Sequence, residues 1–285
     1  MIDPVIDVAT LRDLQQKPET AARLRLVDIR WALDGSKGVH TYEAGHLLGA
    51  VYIDLHTQLA APVTPGSGRH PLPEPEDFAR TLGEAGISAE DLVVAYDDTD
   101  GSQASRLVWM LRALGQDAAL LDGGLGAWDG PLETGRVEPE AVTVPVREWG
   151  SDVTATADEV AAGVPTLLDA RAPERYRGEV EPIDARPGHI PGALNAPTSA
   201  NTGDDGRFRS PEDLREHFLS IGVDPEQEVV VYCGSGVTAT HDLLALERAG
   251  FSRLRLYPGS YSQWSAQAER DVAVGDQPRG HEDAR

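Results

Sequence analysis

Cys233 is the only cysteine in the 285-residue chain, and it stands where an apolar run gives way to glycines: Val229-Val230-Val231-Tyr232-Cys233-Gly234-Ser235-Gly236-Val237-Thr238. The β-branched run reads as a buried strand, Gly234 and Gly236 allow a tight turn, and Thr238 to Ala249 reads as a helix. A thiol between a strand end and a helix start meets loop N–H groups and the positive end of the helix dipole, which favour thiolate over thiol. The residue therefore reads as a nucleophile, although a lone cysteine is more often an inert core filler.

The elements around it are repeated within the chain. Leu26-Val27-Asp28-Ile29-Arg30 matches Leu167-Leu168-Asp169-Ala170-Arg171, and Gly45-His46 through Ala50 matches Gly188-His189 through Ala193. Leu92 to Tyr96 matches the strand ending at Tyr232, and Leu121 to Gly124 before Trp128 matches Leu256 to Gly259 before Trp264. The first copy is longer between these landmarks, and its proline- and glycine-rich stretch from Asp54 to Pro75 holds the extra residues. Each copy has the size of a domain.

Within each copy, short apolar runs alternate with helical patterns, which predicts an α/β unit with a mainly parallel sheet flanked by helices. Strands are expected at Leu24–Asp28, Ala50–Ile53, Leu92–Tyr96 and Ala118–Leu121, then at Thr166–Asp169, Ala193–Ala196, Val229–Tyr232 and Arg253–Leu256. Helices are expected at Thr10–Gln16, Glu76–Ala85 and Ser102–Leu114, then at Ala157–Ala161, Pro211–Ile221 and Thr238–Ala249. Gly115 and Gly250 read as C-terminal caps. The domains expected are residues 1–130, a linker at 131–152, and residues 153–285; after Arg270 the chain is expected to fray.

The copies differ at the chemistry. Where the second has Cys233-Gly234-Ser235-Gly236, the first has Asp97-Asp98-Thr99-Asp100-Gly101, and clustered carboxylates repel an anion. The first copy is thus expected to be catalytically inactive. Asp28 and Asp169 read as structural acceptors for loop N–H groups, His46 and His189 as scaffold because both copies have them, and Trp128 and Trp264 as packing. Tyr261 and Trp264 could wall the site.

Composition narrows the partners. The net charge of -22 argues against nucleic acid. The sequence has no membrane span and no secretory leader pattern, so a cytoplasmic protein is the expectation. One cysteine excludes an internal disulfide and a multi-cysteine metal site; no metal and no cofactor are expected.

The duplication, the Gly188-to-Ala193 element, the Cys233-to-Ala239 loop and Pro258-Gly259 before Trp264 together resemble the two-domain rhodanese family, over nearly the whole chain. The resemblance implies two tandem rhodanese-like domains, the second catalytic, and a sulfurtransferase. Cys233 would take a sulfane sulfur from thiosulfate or 3-mercaptopyruvate, hold it as a persulfide on the loop Gly234, Ser235, Gly236, Val237 and Thr238, and pass it to cyanide or a thiol. In the thiosulfate-using branch the second and third loop positions are typically basic; Gly234 and Ser235 resemble the mercaptopyruvate branch. The resemblance also places a histidine, His70, beside Ser235. The family's accompanying aspartate has no clear match: His56 falls at its position, with Asp54 two residues earlier. For the small anionic donor, Arg175 matches the family's first arginine, and Arg186 and Arg177 compete for the second.

Two rival functions remain at this level. A cysteine phosphatase needs an arginine six residues after the nucleophile, where this chain has Ala239. A non-enzymatic persulfide carrier or interaction module with the same fold would not need the intact Cys233 loop.

Overall fold

In the computed structural model, residues 1–32 and 34–278 are described. They fall into two compact units, each interrupted in sequence. One comprises Met1–Ala61, Leu72–Trp149 and Asp204–Phe208; the other comprises Pro62–Pro71, Gly150–Gly203 and the chain from Arg209 onward. Residues 62–71 thus come from the first sequence repeat but belong with the cysteine-bearing unit.

The first unit is built on a five-stranded parallel sheet, in the order Val5–Ile6, Ala118–Leu121, Leu92–Tyr96, Leu24–Asp28, Val51–Tyr52. The second has a four-stranded parallel sheet, in the order Leu254–Leu256, Val229–Tyr232, Thr166–Asp169, Leu194–Asn195. The central strands are buried on both faces, which is why they read as unbroken apolar runs rather than alternating ones. Helices Ala104–Ala113 and Ala239–Arg248 start just beyond the matching central strands. Five strands, Leu24–Asp28, Leu92–Tyr96, Ala118–Leu121, Thr166–Asp169 and Val229–Tyr232, fall where their apolar runs predict. Val51–Tyr52 and Leu194–Asn195 are a residue shorter at both ends and Leu254–Leu256 at one, and the edge strand Val5–Ile6 is not expected from the sequence. Short helices at Val39–Ala44, Leu55–Gln58, Pro173–Tyr176 and Ser260–Ala266 have no length of pattern to announce them.

Register carries the internal symmetry down to single pairs. Asp28 lies opposite Tyr96, and Asp169 opposite Tyr232, so the residues after the tyrosines, Asp97 and Cys233, leave their sheets at equivalent points. In both units the aspartate accepts both a backbone N–H and the guanidinium of the arginine two residues on, and that arginine also donates to a glycine carbonyl: Gly45 for Arg30, Gly188 for Arg171. His46 and His189 stack on Tyr42 and Tyr176 and hydrogen-bond to those tyrosines' carbonyls. These groups are fully buried and shared by both units, the pattern of a scaffold.

Residues 131–149 are largely irregular and lie within the first unit, where Val142 donates to the Gly83 carbonyl and the Trp149 indole to that of Pro73. After Arg270 the chain does not fray at once. Ala273 forms an antiparallel bridge with His189, Gly275 donates to Arg177 and Gly192 donates to Pro278, so the backbone is tied down to that point. Residues 279–285 of the predicted frayed end lie outside the described residues.

Candidate active site in the cysteine-bearing unit

Cys233 is 1% exposed at the end of its strand. The loop after it folds back so that the Gly236 N–H donates to Sγ at 3.1 Å. Gly236 has φ +76, and a Cβ there would lie 2.6 Å from the Pro258 carbonyl oxygen, so only glycine fits. The turn after Leu254–Leu256 supports the loop from below. The Cys233 N–H donates to Ser260 Oγ at 3.2 Å, Tyr261 N–H to the Cys233 carbonyl and Ser262 N–H to that of Gly234, each at 2.9 Å. Ser260 is the one non-glycine residue with positive φ among the described residues, at +53, a strained conformation held beneath Cys233.

Segment 62–71 brings a second group of side chains to this loop. His70 Nδ1 lies 2.9 Å from Ser235 Oγ, both residues are buried, and they are 165 positions apart in sequence. The segment is fastened to helix Ser260–Ala266: Arg69 N–H donates to Ser262 Oγ, and Gln263 Nε2 donates to the Gly66 carbonyl. A Cβ on Gly68 would collide with the Gly259 carbonyl at 2.4 Å, so this close approach needs glycine too.

Charge beside the loop is organised as an alternating chain. Asp169 pairs with Arg171, Arg171 with Glu181, Glu181 with Arg175, Arg175 with Asp184 and Asp184 with Arg69. Burial works against the Glu181 charge, but Arg175 and the N–H groups of Asp184 and Ile183 outweigh it and hold the carboxyl below its usual range. Burial likewise opposes the Arg171 charge, and Asp169 reverses the balance. The Arg171 guanidinium also lies over the Tyr261 ring at 3.8 Å, so Tyr261 packs on the charge network, with its hydroxyl pushed up by burial.

The structure therefore brings together Cys233, Gly234, Ser235, Gly236, His70 and Arg175. Arg186 and Arg177 are engaged elsewhere. The Arg186 guanidinium donates to the carbonyls of Trp264, Ser265, Gln267 and Arg270, closing the end of helix Ser260–Ala266. Arg177 pairs with Glu179 and Asp276 near the surface. Asp54, in the other unit, caps Leu55–Gln58 by accepting from Thr57, and also accepts from the Tyr52 hydroxyl. Arg69 and Asp184 were not legible as site residues. Arg69 adjoins His70, and Asp184 falls nine residues after Arg175, but nothing in spacing alone turns either towards Gly234.

Helix Ala239–Arg248, which follows the loop, is anchored by a buried polar cluster. Asn201 Nδ2 donates to Asp242 Oδ1 at 2.6 Å and faces His241 Nδ1 at 3.1 Å. Burial, with Asp169 adding repulsion, outweighs the Asn201 hydrogen bond and pushes the Asp242 carboxyl well above its ordinary value of 3.8. A raised folded pKa gives stability that is complete below the unfolded value and is lost as pH climbs towards the folded one. Asp242→Asn removes that loss. Its thermal midpoint is expected to match the parent near pH 4 and to exceed it increasingly as pH rises above the unfolded carboxyl's range; a difference independent of pH would overturn the raised pKa.

The cradle position of the first unit is occupied by its own side chain. The fully buried Asp97 carboxylate accepts from the N–H groups of Thr99, Gly101, Gln103 and Ala104 and from the Thr99 hydroxyl. The Asp97 carboxyl thus fills the loop itself, in addition to the charge repulsion expected from the sequence.

A family profile described as a rhodanese-like domain matches residues 7–130 and 152–267. The chain is 42% identical over 258 residues to a putative thiosulfate sulfurtransferase, SseB, of Mycobacterium tuberculosis, covering 88% of this chain and 90% of that protein. It is 43% identical over 272 residues to a probable 3-mercaptopyruvate sulfurtransferase of Pseudomonas aeruginosa, covering 89% and 93%. The crystal structure of SseA from Escherichia coli, a 3-mercaptopyruvate sulfurtransferase of the rhodanese fold, superposes with a TM-score of 0.77 at 31% identity, covering 92% of this chain and all of that one. With a buried thiol that accepts from the Gly236 N–H of its loop, and this likeness over both repeats, the chain belongs to the rhodanese family and is a sulfurtransferase.

Proposed function

We propose that the chain takes sulfur from 3-mercaptopyruvate, carries it as a persulfide on Cys233, and delivers it to a thiol or cyanide. The observation that carries the donor choice is the buried His70–Ser235 hydrogen bond beside an uncharged loop. Cys233 Sγ attacks the donor's thiol sulfur; an S–S bond forms, the C–S bond breaks, and its electron pair passes into the enolate of pyruvate. The enolate must gain a proton. Ser235, with His70 behind it, can supply one and recover it from the transferred S–H, so atoms and charge balance. Thiosulfate releases sulfite, which leaves as an anion and needs no proton, so this pair would have no task with that donor.

The Gly236 N–H already donates to Sγ, and the same loop can cradle the outer sulfur of the persulfide. With no second cysteine in the chain, the persulfide cannot collapse to an internal disulfide and waits for an outside acceptor. Among the described residues no helix is long and apolar enough to cross a membrane.

With cyanide as acceptor, kcat/KM is expected to be at least about tenfold higher for 3-mercaptopyruvate than for thiosulfate. Without acceptor, the intact protein should gain the mass of one sulfur atom. A higher kcat/KM for thiosulfate would overturn the donor assignment, and the absence of added mass with either donor would overturn the persulfide.

A further inference from the structure

We propose that Arg69 completes the seat for the donor's carboxylate beside Arg175, to which the family resemblance already gives that role, with Asp184 as the positioning residue that holds both and makes the seat prefer a singly charged anion. This deepens, and rests on, sulfur transfer at Cys233.

The Asp184 side chain is wholly buried, and each of its oxygens holds one guanidinium. Arg69 Nη1 donates to Oδ1 and Arg175 Nη2 to Oδ2, both at 2.8 Å. Held this way, the two guanidinium groups turn their other amino nitrogens to the catalytic loop. A Cβ built on Gly234 would lie 3.1 Å from Arg69 Nη2, 3.6 Å from Arg175 Nη1 and 3.6 Å from Asp184 Oδ2. The two nitrogens thus converge on the residue next to the nucleophile, where a side chain at position 234 would crowd them. Both arginine side chains keep some solvent contact, 26% and 19%, so an incoming anion can reach them. A guanidinium fixed through one edge offers the other edge as a preorganised donor.

Charge sets the preference. The chain Asp169, Arg171, Glu181, Arg175, Asp184, Arg69 alternates in sign and is neutral as a whole, inside a protein of net charge -22. Its outer end can accept the single charge of a carboxylate by sharing the arginines with Asp184. Two charges, as on thiosulfate, would face Asp184 without compensation.

Steady-state kinetics with both donors test this. Arg69→Ala is expected to raise KM for 3-mercaptopyruvate about tenfold or more while leaving kcat within a few-fold, because the contact exists before and during sulfur transfer; Arg69→Lys should recover part of the loss. Asp184→Asn is expected to lower the ratio of kcat/KM for 3-mercaptopyruvate over thiosulfate by about tenfold, through a gain on thiosulfate. An unchanged KM in folded Arg69→Ala overturns the seat, as does an unchanged donor ratio in folded Asp184→Asn; should the latter not fold, the Arg69 pair decides. A parent protein that accepts sulfur from neither donor overturns instead the transfer reading beneath.

Discussion

Cys233→Ser is expected to abolish the gain of a sulfur atom from either donor and to lower turnover by roughly three orders of magnitude or more, the scale seen when a covalent nucleophile is removed. The reason lies in what the site can offer without the sulfur. The Gly236 N–H would still point at the side chain, and Ser260 and Tyr261 would still hold the loop from below. Arg175 and His70 are positioned by other residues and would stay in place. A serine hydroxyl, however, is far less ionised and forms no stable bond to sulfane sulfur, so an intact cradle would have nothing to carry. The fold should be unaffected, because oxygen replaces sulfur at one buried position whose backbone bonds are unchanged. Donor-dependent turnover near the parent level, with the variant's mass confirmed, would remove Cys233 from the reaction.

Cys233 stands out in the sequence as a candidate nucleophile because its supporting residues are local. The apolar strand, the glycines and the following helix lie within a dozen positions, and the internal repeat placed the same strand end in both copies. Asp28 opposite Tyr96 and Asp169 opposite Tyr232 show how closely the repeat also fixes register. The proposed anion seat is less visible for a physical reason. Arg69 reaches Gly234 only because segment 62–71 is fastened to helix Ser260–Ala266, a long-range packing event that no local pattern encodes. Arg175, Arg177 and Arg186 are close in sequence and look alike there, yet one faces the loop, one pairs near the surface and one closes a helix end. Side-chain direction on an irregular segment is set by tertiary partners.

Asp97→Ala should have the largest effect on stability, and none on chemistry in molecules that remain folded. The carboxylate satisfies four backbone N–H groups and one hydroxyl at the turn between strand Leu92–Tyr96 and helix Ala104–Ala113. Removing it strands these donors where water enters poorly. At about 1–3 kcal/mol for each buried unsatisfied donor, less for those that can relax towards solvent, a loss of about 3–5 kcal/mol is expected. Asp97→Asn is a sharper control. Its carbonyl can serve either the Thr99 and Gly101 side or the Gln103 and Ala104 side, and its amide then opposes donors on the other, so it should recover only part of the loss. Chemical denaturation followed by a probe in the first unit would measure both, with kcat per folded molecule as the companion readout. A neutral Asp97→Ala would mean that the loop closes without its anion. The turn that follows the central strand thus differs between the units: one is filled by the Asp97 carboxyl, which holds the fold, and the other carries the Cys233 thiol with one N–H turned to it.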